Sequence, residues 1–165
     1  MHLFKPRKTD TDAVLSQYGD MLYRLALTRL GNEADAQDIV QDVFLKYLSL
    51  KPTFNDQSHE KAWFLRTTIN CCHDFLRKQK HRNHLSLEDA THIAAGGDDG
   101  VGHLLELIAQ LPSIYKDVVI LHSLEGFSTA ETADILEISV SAVKMRLSRA
   151  REILQILRKE ENDVY

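Results

Sequence analysis

Residues 128–157 read STAETADILEISVSAVKMRLSRAREILQIL, and this stretch decides the fold of the second half of the chain. Ser128 and Glu131 match the capping-box pattern that begins a helix. Glu137 starts a tight three-residue connection, and Ser139 caps a longer, basic helix. The apolar side of that last helix recurs at helical spacing through Val143, Leu147, Ala150, Ile153, Leu154 and Leu157. A short helix, a tight turn and a longer helix have the dimensions of a helix-turn-helix.

The last helix carries a basic surface beside its apolar side. Between Val140 and Lys159 there are six Lys or Arg and one acid, a net charge of +5. Such a helix can reach base edges in the major groove and backbone phosphates. The residues predicted to face DNA are Ser141, Lys144, Met145, Arg146, Ser148 and Arg149. The alternative is a solvated amphipathic helix with extended arginines, but the cluster directly follows a capped turn and therefore favours DNA binding.

Three more helices are predicted in the first half of the chain. Apolar residues recur at helical spacing from Val14 onward, and Gly31 is placed to end the first helix in a left-handed turn. Asn32 can cap a second helix that Pro52 stops, and Ser58 is a plausible cap for a third. No segment shows the alternation of a strand, so the sequence predicts an all-α protein.

The helical periodicity lapses between the two halves, where four glycines lie among aspartates. We predict two small helical domains, residues 9–82 and 103–160, joined by an acidic flexible linker at residues 83–102. Periodicity returns at Leu104, and Pro112 ends that helix and begins the next. The whole chain has a net charge of −4, but its basic and acidic segments alternate, which suggests separate partners.

The third helix is a second candidate for nucleic-acid binding. The segment from Lys61 to His84 has a net charge of +5 and interleaves its cations with Trp63, Phe64 and Phe75. Aromatic rings stack on unpaired bases while cations hold the backbone, a mixture suited to single-stranded DNA. The alternative places Trp63 and Phe75 in the core. The candidate residues are Lys61, Trp63, Arg66, Asn70, Arg77, Lys78 and Lys80.

The second helix has an acidic face. Asp38, Gln41 and Asp42 share one side because they are three and four residues apart. This face could bind a basic protein surface. From the residues alone, a merely solvated face is the simpler interpretation.

Other classes of protein find little support in the sequence. Cys71 and Cys72 are adjacent, which disfavours a disulfide and fits a reduced, cytoplasmic setting. Their spacing with His73 is not that of a structural zinc site, so we expect neither metal nor cofactor. The N-terminus lacks the apolar run of a signal peptide, and no stretch approaches the length of a membrane span. No catalytic set emerges, and no enzymatic activity is expected.

These residues resemble the extracytoplasmic-function (ECF) group of bacterial RNA polymerase sigma factors over nearly the whole chain. In the first domain the matching runs are YGDMLYRLALTRLGNEADAQDIVQDVFLKYL (residues 18–48) and AWFLRTTINCCHDFLRKQKHR (residues 62–82). In the second domain the match covers residues 111–154. The phrases AQDIVQDVF and AVKMRLSRAREIL are specific in this order and separation.

The resemblance implies a role for each surface. Asp38, Gln41 and Asp42 would dock on the clamp helices of the largest subunit of core RNA polymerase, and the protein would also contact the polymerase flap. The third helix and the loop before it, with Trp63 and Asn70, would recognise and melt the −10 element of promoter DNA. The last helix would read the −35 element, and the linker would follow the RNA exit path. The family also implies control by an anti-sigma factor, membrane-tethered or soluble, that covers both domains.

One departure and two rival functions remain. Many relatives have glycine in the turn where this chain has Glu137, and a non-glycine residue in a left-handed turn costs roughly 1 kcal/mol. One rival is a stand-alone regulator that binds duplex DNA without polymerase. The other is a redox or metal-dependent enzyme, or a thiol-sensitive variant, built on Cys71 and Cys72.

Overall fold

The computed structural model describes residues 11–82 and 100–164, with the backbone alone for Val101, and every regular element in these ranges is a helix. The elements are α1 (Thr11–Leu30), α2 (Glu33–Leu50), α3 (Gln57–Arg82), α4 (Gly100–Ala109), α5 (Ser113–Val118), α6 (Thr129–Leu136) and α7 (Val140–Asn162). A π-helical segment, Val119–Leu124, continues α5 directly. The all-α prediction is confirmed. None of the described helices has a stretch long and apolar enough to cross a bilayer.

The ends of the first three helices follow from local chemistry. Gly31 is left-handed (φ 70°), and the side chain of Asn32 accepts a hydrogen bond from the backbone N–H of Asp35, both as predicted. The prediction that Ser58 caps the third helix was wrong. Asp56 does so instead: its Oδ1 accepts a hydrogen bond from the backbone N–H of His59 at 2.8 Å, so α3 starts at Gln57.

A cluster of aromatic rings holds α1, α2 and α3 together. The ring of Phe64 is fully buried, and its centroid lies 4.9 Å from that of Tyr18, 5.5 Å from Phe44 and 5.2 Å from Tyr47. Burying a side chain of this size contributes about 1.5–3 kcal/mol. These helices form the first unit, residues 11–82.

Helices α4 to α7 form the second unit, residues 100–164. Its fully buried side chains include Ile108, Val118, Leu121 and Val143. Pro112 lies between α4 and α5 and precedes the first residue of α5, as its fixed φ favours. The predicted helix-turn-helix is present as α6, a turn and α7.

The two units pack against each other, which the sequence did not predict. Helix α1 contacts α4, α3 contacts α6, and the buried apolar residues of both units belong to one continuous cluster. Most of the predicted linker, residues 83–99, lies outside the described residues, and its last three residues already belong to α4. The fold therefore presents one body with basic surfaces from both units.

Candidate nucleic-acid interfaces

The helix-turn-helix is fixed by three local devices. The backbone N–H of Ser128 donates to Glu131 Oε2 at 2.8 Å and that of Glu131 donates to Ser128 Oγ at 3.1 Å, which completes the predicted capping box. Glu137 is left-handed (φ 57°) and reverses the chain. The side chain of Ser139 then accepts from the backbone N–H of Ala142 at 3.1 Å and caps α7. These devices orient the first turn of α7.

The side of α7 predicted to bind DNA is available to solvent. Val143, Leu147 and Ala150 are buried against the unit, as predicted. We call the opposite surface the α7 face. Its members Ser141, Lys144, Met145, Ser148 and Arg149 are exposed, and Arg146 is half-buried. Among the ion pairs of the described residues, the face takes part in only one, an exposed contact of 3.5 Å between Arg149 and Glu152. The face is free for an external partner.

The aromatic residues of α3 divide between core and surface. Phe64 was expected among rings available to bases, but it has no exposed surface, so that interpretation was wrong. Trp63 is partly buried, with its ring centroid 5.1 Å from that of Phe64, 5.9 Å from Phe54 and 6.1 Å from Tyr47. Phe75 is also partly buried. Trp63 thus combines core contacts with some accessible surface.

The cations of α3 also divide into two groups. Arg77, Lys78 and Lys80 are exposed at the C-terminal end of the helix, where Arg77 is paired with Asp74. Nearer the start of α3, Lys61 and Arg66 instead contact the second unit. Asn70 is exposed between the groups. We call the predicted set, Lys61, Trp63, Arg66, Asn70, Arg77, Lys78 and Lys80, the α3 face.

Arg66 reaches the end of α6. Its Nε donates to the carbonyl of Ile135 at 3.1 Å and its Nη2 to the carbonyl of Asp134 at 2.6 Å. The same Nη2 lies 3.1 Å from Glu137 Oε1. Lys61 Nζ lies 3.8 Å from Glu125 Oε2 and 5.0 Å from the ring centroid of Phe127. The structure therefore brings part of the α3 face to the helix-turn-helix, an arrangement that sequence reasoning missed.

A buried ion pair also joins the units. Arg29 Nη1 in α1 lies 3.1 Å from Asp117 Oδ1 in α5, and both side chains are almost wholly buried. The same nitrogen donates to the carbonyl of Ser113 at 3.0 Å. His73 Nε2 in α3 approaches Asp117 Oδ2 at 3.4 Å. Burial lowers the pKa of Lys116, and the neighbouring Arg29 lowers it further. Arg29 and His73 thus approach the same carboxylate from two different helices of the first unit.

The acidic face of α2 is exposed. Asp38, Gln41 and Asp42 lie together on the surface, as their spacing predicts. Leu45 and Leu48 beside them are 62% and 46% exposed. Exposed large apolar side chains beside a charged rim are typical of protein-binding surfaces. Nothing in the described residues covers this face.

The two cysteines are poorly suited to thiol chemistry. Both are buried, and burial raises the pKa of each thiol, that of Cys72 to about 12. At neutral pH the reactive thiolate is therefore disfavoured. The described residues contain no group of three or more His, Cys, Asp or Glu placed to hold a metal ion. The geometry gives no support to the rival redox or metal-dependent enzyme.

Two family models match the chain, one in each unit. Residues 14–82 match Sigma-70 region 2, and residues 103–154 match the sigma-70 region 4 model. The first match contains α2 and α3, and the second contains the helix-turn-helix.

Two curated relatives match over nine tenths of the chain or more. The RNA polymerase sigma factor SigV of Bacillus subtilis is 33% identical over 94% of this chain and 98% of its own. The ECF RNA polymerase sigma factor SigW of the same organism is 31% identical, with 90% of each chain covered.

Solved structures share the fold. The sigma factor RpoE of Bartonella quintana, in a complex with the anti-sigma factor NepR, superposes with a TM-score of 0.76 at 26% identity over 91% of this chain and 97% of its own. CnrH, solved with the cytosolic domain of CnrY, gives a TM-score of 0.68 at 24% identity and is similar in fold. The alignments extend over both units of this chain.

Proposed function

Because the chain belongs to the ECF group of the sigma-70 family of RNA polymerase sigma factors, we propose that α7 reads a duplex −35 element and α3 captures a melted −10 element. The chain is a transcription initiation factor that directs RNA polymerase to promoters. The division of this work among its surfaces is the proposal.

The observation that carries the proposal is the α7 face. This face lies on a helix whose start is fixed by a side-chain cap, and it presents exposed polar and cationic side chains, among them Lys144 and Arg149. A bidentate contact with a base edge discriminates between bases by about 1–3 kcal/mol. Phosphate contacts by the cations add affinity that salt weakens. Such a face can position the complex on a duplex.

The −10 step needs no covalent chemistry. Asn70 is exposed on α3 close to Arg66 and Trp63, so an unpaired base bound there could meet an amide, a cation and an aromatic edge. Stacking contributes about 1–3 kcal/mol per base, which offsets the few kcal/mol lost on unstacking the duplex. Binding energy would therefore drive DNA opening without enzymatic activity or cofactor.

The acidic face of α2 is the proposed docking site for core polymerase. Asp38, Gln41 and Asp42 offer acceptors to a basic partner surface, and Leu45 and Leu48 add apolar area. We assign this face to the clamp helices of the largest subunit and the second unit to the flap. The work would take place in the cytoplasm. Control by an anti-sigma factor is proposed because the RpoE relative was solved with one.

Run-off transcription on fragmented genomic DNA of the source organism tests the proposal. With core polymerase, the chain should produce transcripts with defined 5′ ends, whereas the chain alone should select no sequence. Asp38→Lys/Asp42→Lys should lose both association with core polymerase and defined initiation. Glu160→Lys/Asp163→Lys makes the same change of charge at exposed positions on the other unit and should retain both. Sequence-specific DNA selection without core polymerase would instead establish the stand-alone regulator.

A further inference from the structure

The contact between the units uses cations that the proposed function assigns to DNA. Arg66 gives its Nε and Nη2 to two carbonyls and a carboxylate of the second unit, and Lys61 lies between Glu125 and the ring of Phe127. Both residues belong to the α3 face. The same side chains cannot hold these partners and a DNA backbone at once.

The partners of Arg66 resemble a phosphate in their chemistry. The carbonyls of Asp134 and Ile135 lie in the last turn of α6, at the negative end of the helix dipole. The Asp134 carbonyl also accepts a long hydrogen bond, 3.4 Å, from the backbone N–H of Glu137. The carboxylate of Glu137 adds a full negative charge beside them. A guanidinium makes its strongest hydrogen bonds to such groups and to phosphates alike. The end of α6 is therefore an internal substitute for the DNA backbone.

We propose that this arrangement is a self-inhibited, closed state, in which the helix-turn-helix unit occupies the N-terminal half of the α3 face. The inference rests on the proposed −10 role of that face. Closure is selective, because the α7 face remains exposed while Lys61 and Arg66 are occupied. A closed chain can thus meet a duplex but holds a melted strand less tightly.

The buried pair of Arg29 and Asp117 makes the closed state specific but adds little to its stability. Nε and Nη2 of Arg29 are buried without a hydrogen-bond acceptor among the described residues. Asp117 Oδ1 is also buried, and no described residue donates a well-aligned hydrogen bond to it. A buried pair satisfied this incompletely adds little net stability, because the attraction barely offsets the loss of hydration. It still disfavours other closed arrangements, which would leave a charge unpaired. On opening, water would solvate both groups.

The test weakens the contact by neutralising its two carboxylates, while the carbonyl partners of Arg66 and the DNA-binding side chains stay intact. Glu125→Gln/Glu137→Gln neutralises the carboxylates facing Lys61 and Arg66. Glu160→Gln/Asp163→Asn is the matched control, with the same gain of charge on the same unit at exposed positions outside the contact. Each variant is titrated into a labelled single-stranded DNA about 16 nucleotides long and of mixed sequence, and the Kd is measured. Its radius of gyration is measured by small-angle X-ray scattering.

The expected result is a Kd for single-stranded DNA about threefold to tenfold lower than that of the control, together with a larger radius of gyration. Duplex binding should change equally in the two variants. Equal single-strand affinities, or an unchanged radius of gyration, would overturn the closed state. Circular dichroism of both variants ensures that each is folded.

A third variant separates this inference from the proposed function. Arg66→Gln placed in the Glu125→Gln/Glu137→Gln background should cancel the gain in single-strand affinity while the chain stays open. If single-strand binding does not fall, Arg66 has no part in −10 binding and the self-inhibition is overturned with it. Measured promoter-directed transcription would then decide whether the rest of the proposed function stands.

Discussion

The basic segments 61–84 and 140–159, in α3 and α7, both have a net charge of +5, but they use their cations differently. The α7 face directs Lys144 and Arg149 into solvent, and its sole ion pair in the described residues is local and exposed. On α3, Lys61 and Arg66 reach across to the other unit. One helix is ready for a partner, whereas half of the other is already occupied.

The difference shows that a basic charge pattern indicates only that a helix could bind DNA. The tertiary structure decides whether its basic side chains are accessible. Arg66 bonds to carbonyls of Asp134 and Ile135, which lie 68 and 69 residues further along the chain. No local sequence pattern around Arg66 predicts those acceptors. The same helical charge pattern can therefore describe an open binding surface or an internal contact.

The largest expected effect concerns the two neighbouring aromatic residues of α3. Phe64→Ala should lower the free energy of unfolding by about 3–5 kcal/mol, because it empties a fully buried site among three other rings. Trp63→Ala should cost less, since its ring is partly exposed. Urea unfolding followed by circular dichroism measures both. An equal cost would mean that Trp63 is a core residue with no spare surface for a base.

An intermediate effect is expected from a cation near the start of α7, compared with a cation near the end of the same helix. Lys144→Ala should weaken binding of the polymerase complex to a −35 duplex by about 1–3 kcal/mol and reduce the salt slope by about one unit. Lys159→Ala, at an exposed position in the last turn of the same helix, is the matched control and should change duplex binding little.

The same assay sharpens the contrast with α3. Asn70→Ala should leave the −35 duplex affinity unchanged and reduce the permanganate reactivity of unpaired thymines near −10. If Asn70→Ala and Lys144→Ala lower duplex binding equally, the separation of the two surfaces is wrong. If Lys159→Ala matches Lys144→Ala, α7 attracts DNA only through its overall charge.

Most of the helical architecture could be predicted because its signals are local. The capping box at Ser128 and Glu131, the cap at Ser139 and the left-handed Gly31 each depend on a few adjacent residues. The cap of α3 was misplaced because Asp56 and Ser58 are both good capping residues two positions apart. Backbone geometry, which the sequence does not display, chooses between them.

The sites could be predicted only in part, because some of their features depend on local spacing and others on how the helices and units pack. The α7 face follows from one helical period, and Asp38, Gln41 and Asp42 share a face by spacing alone. Phe64 was misassigned because period alone does not say which of two adjacent aromatic residues points inward. The pair of Arg29 and Asp117 depends on how two units pack, so no spacing rule could find it.

The smallest effect is expected at Glu137, where the two regions meet. Its backbone is left-handed (φ 57°) in the turn before α7, while its carboxylate holds Arg66 of α3. Glu137→Gln removes the charge and keeps the backbone cost. Glu137→Gly removes both, and we expect its free energy of unfolding to exceed that of Glu137→Gln by roughly 0.5–1 kcal/mol, because glycine adopts this conformation without a Cβ clash. The gain stays small because glycine also gives the unfolded chain more freedom.

Urea midpoints of the two variants measure this difference, and their single-strand affinities measure the release of Arg66. Both substitutions should weaken the contact with Arg66, because each removes the charge of the carboxylate. If the two variants differ in free energy of unfolding but have the same affinity for single-stranded DNA, Glu137 acts independently in the turn and in the contact between the units. Equal stabilities would show that the turn stores no backbone cost.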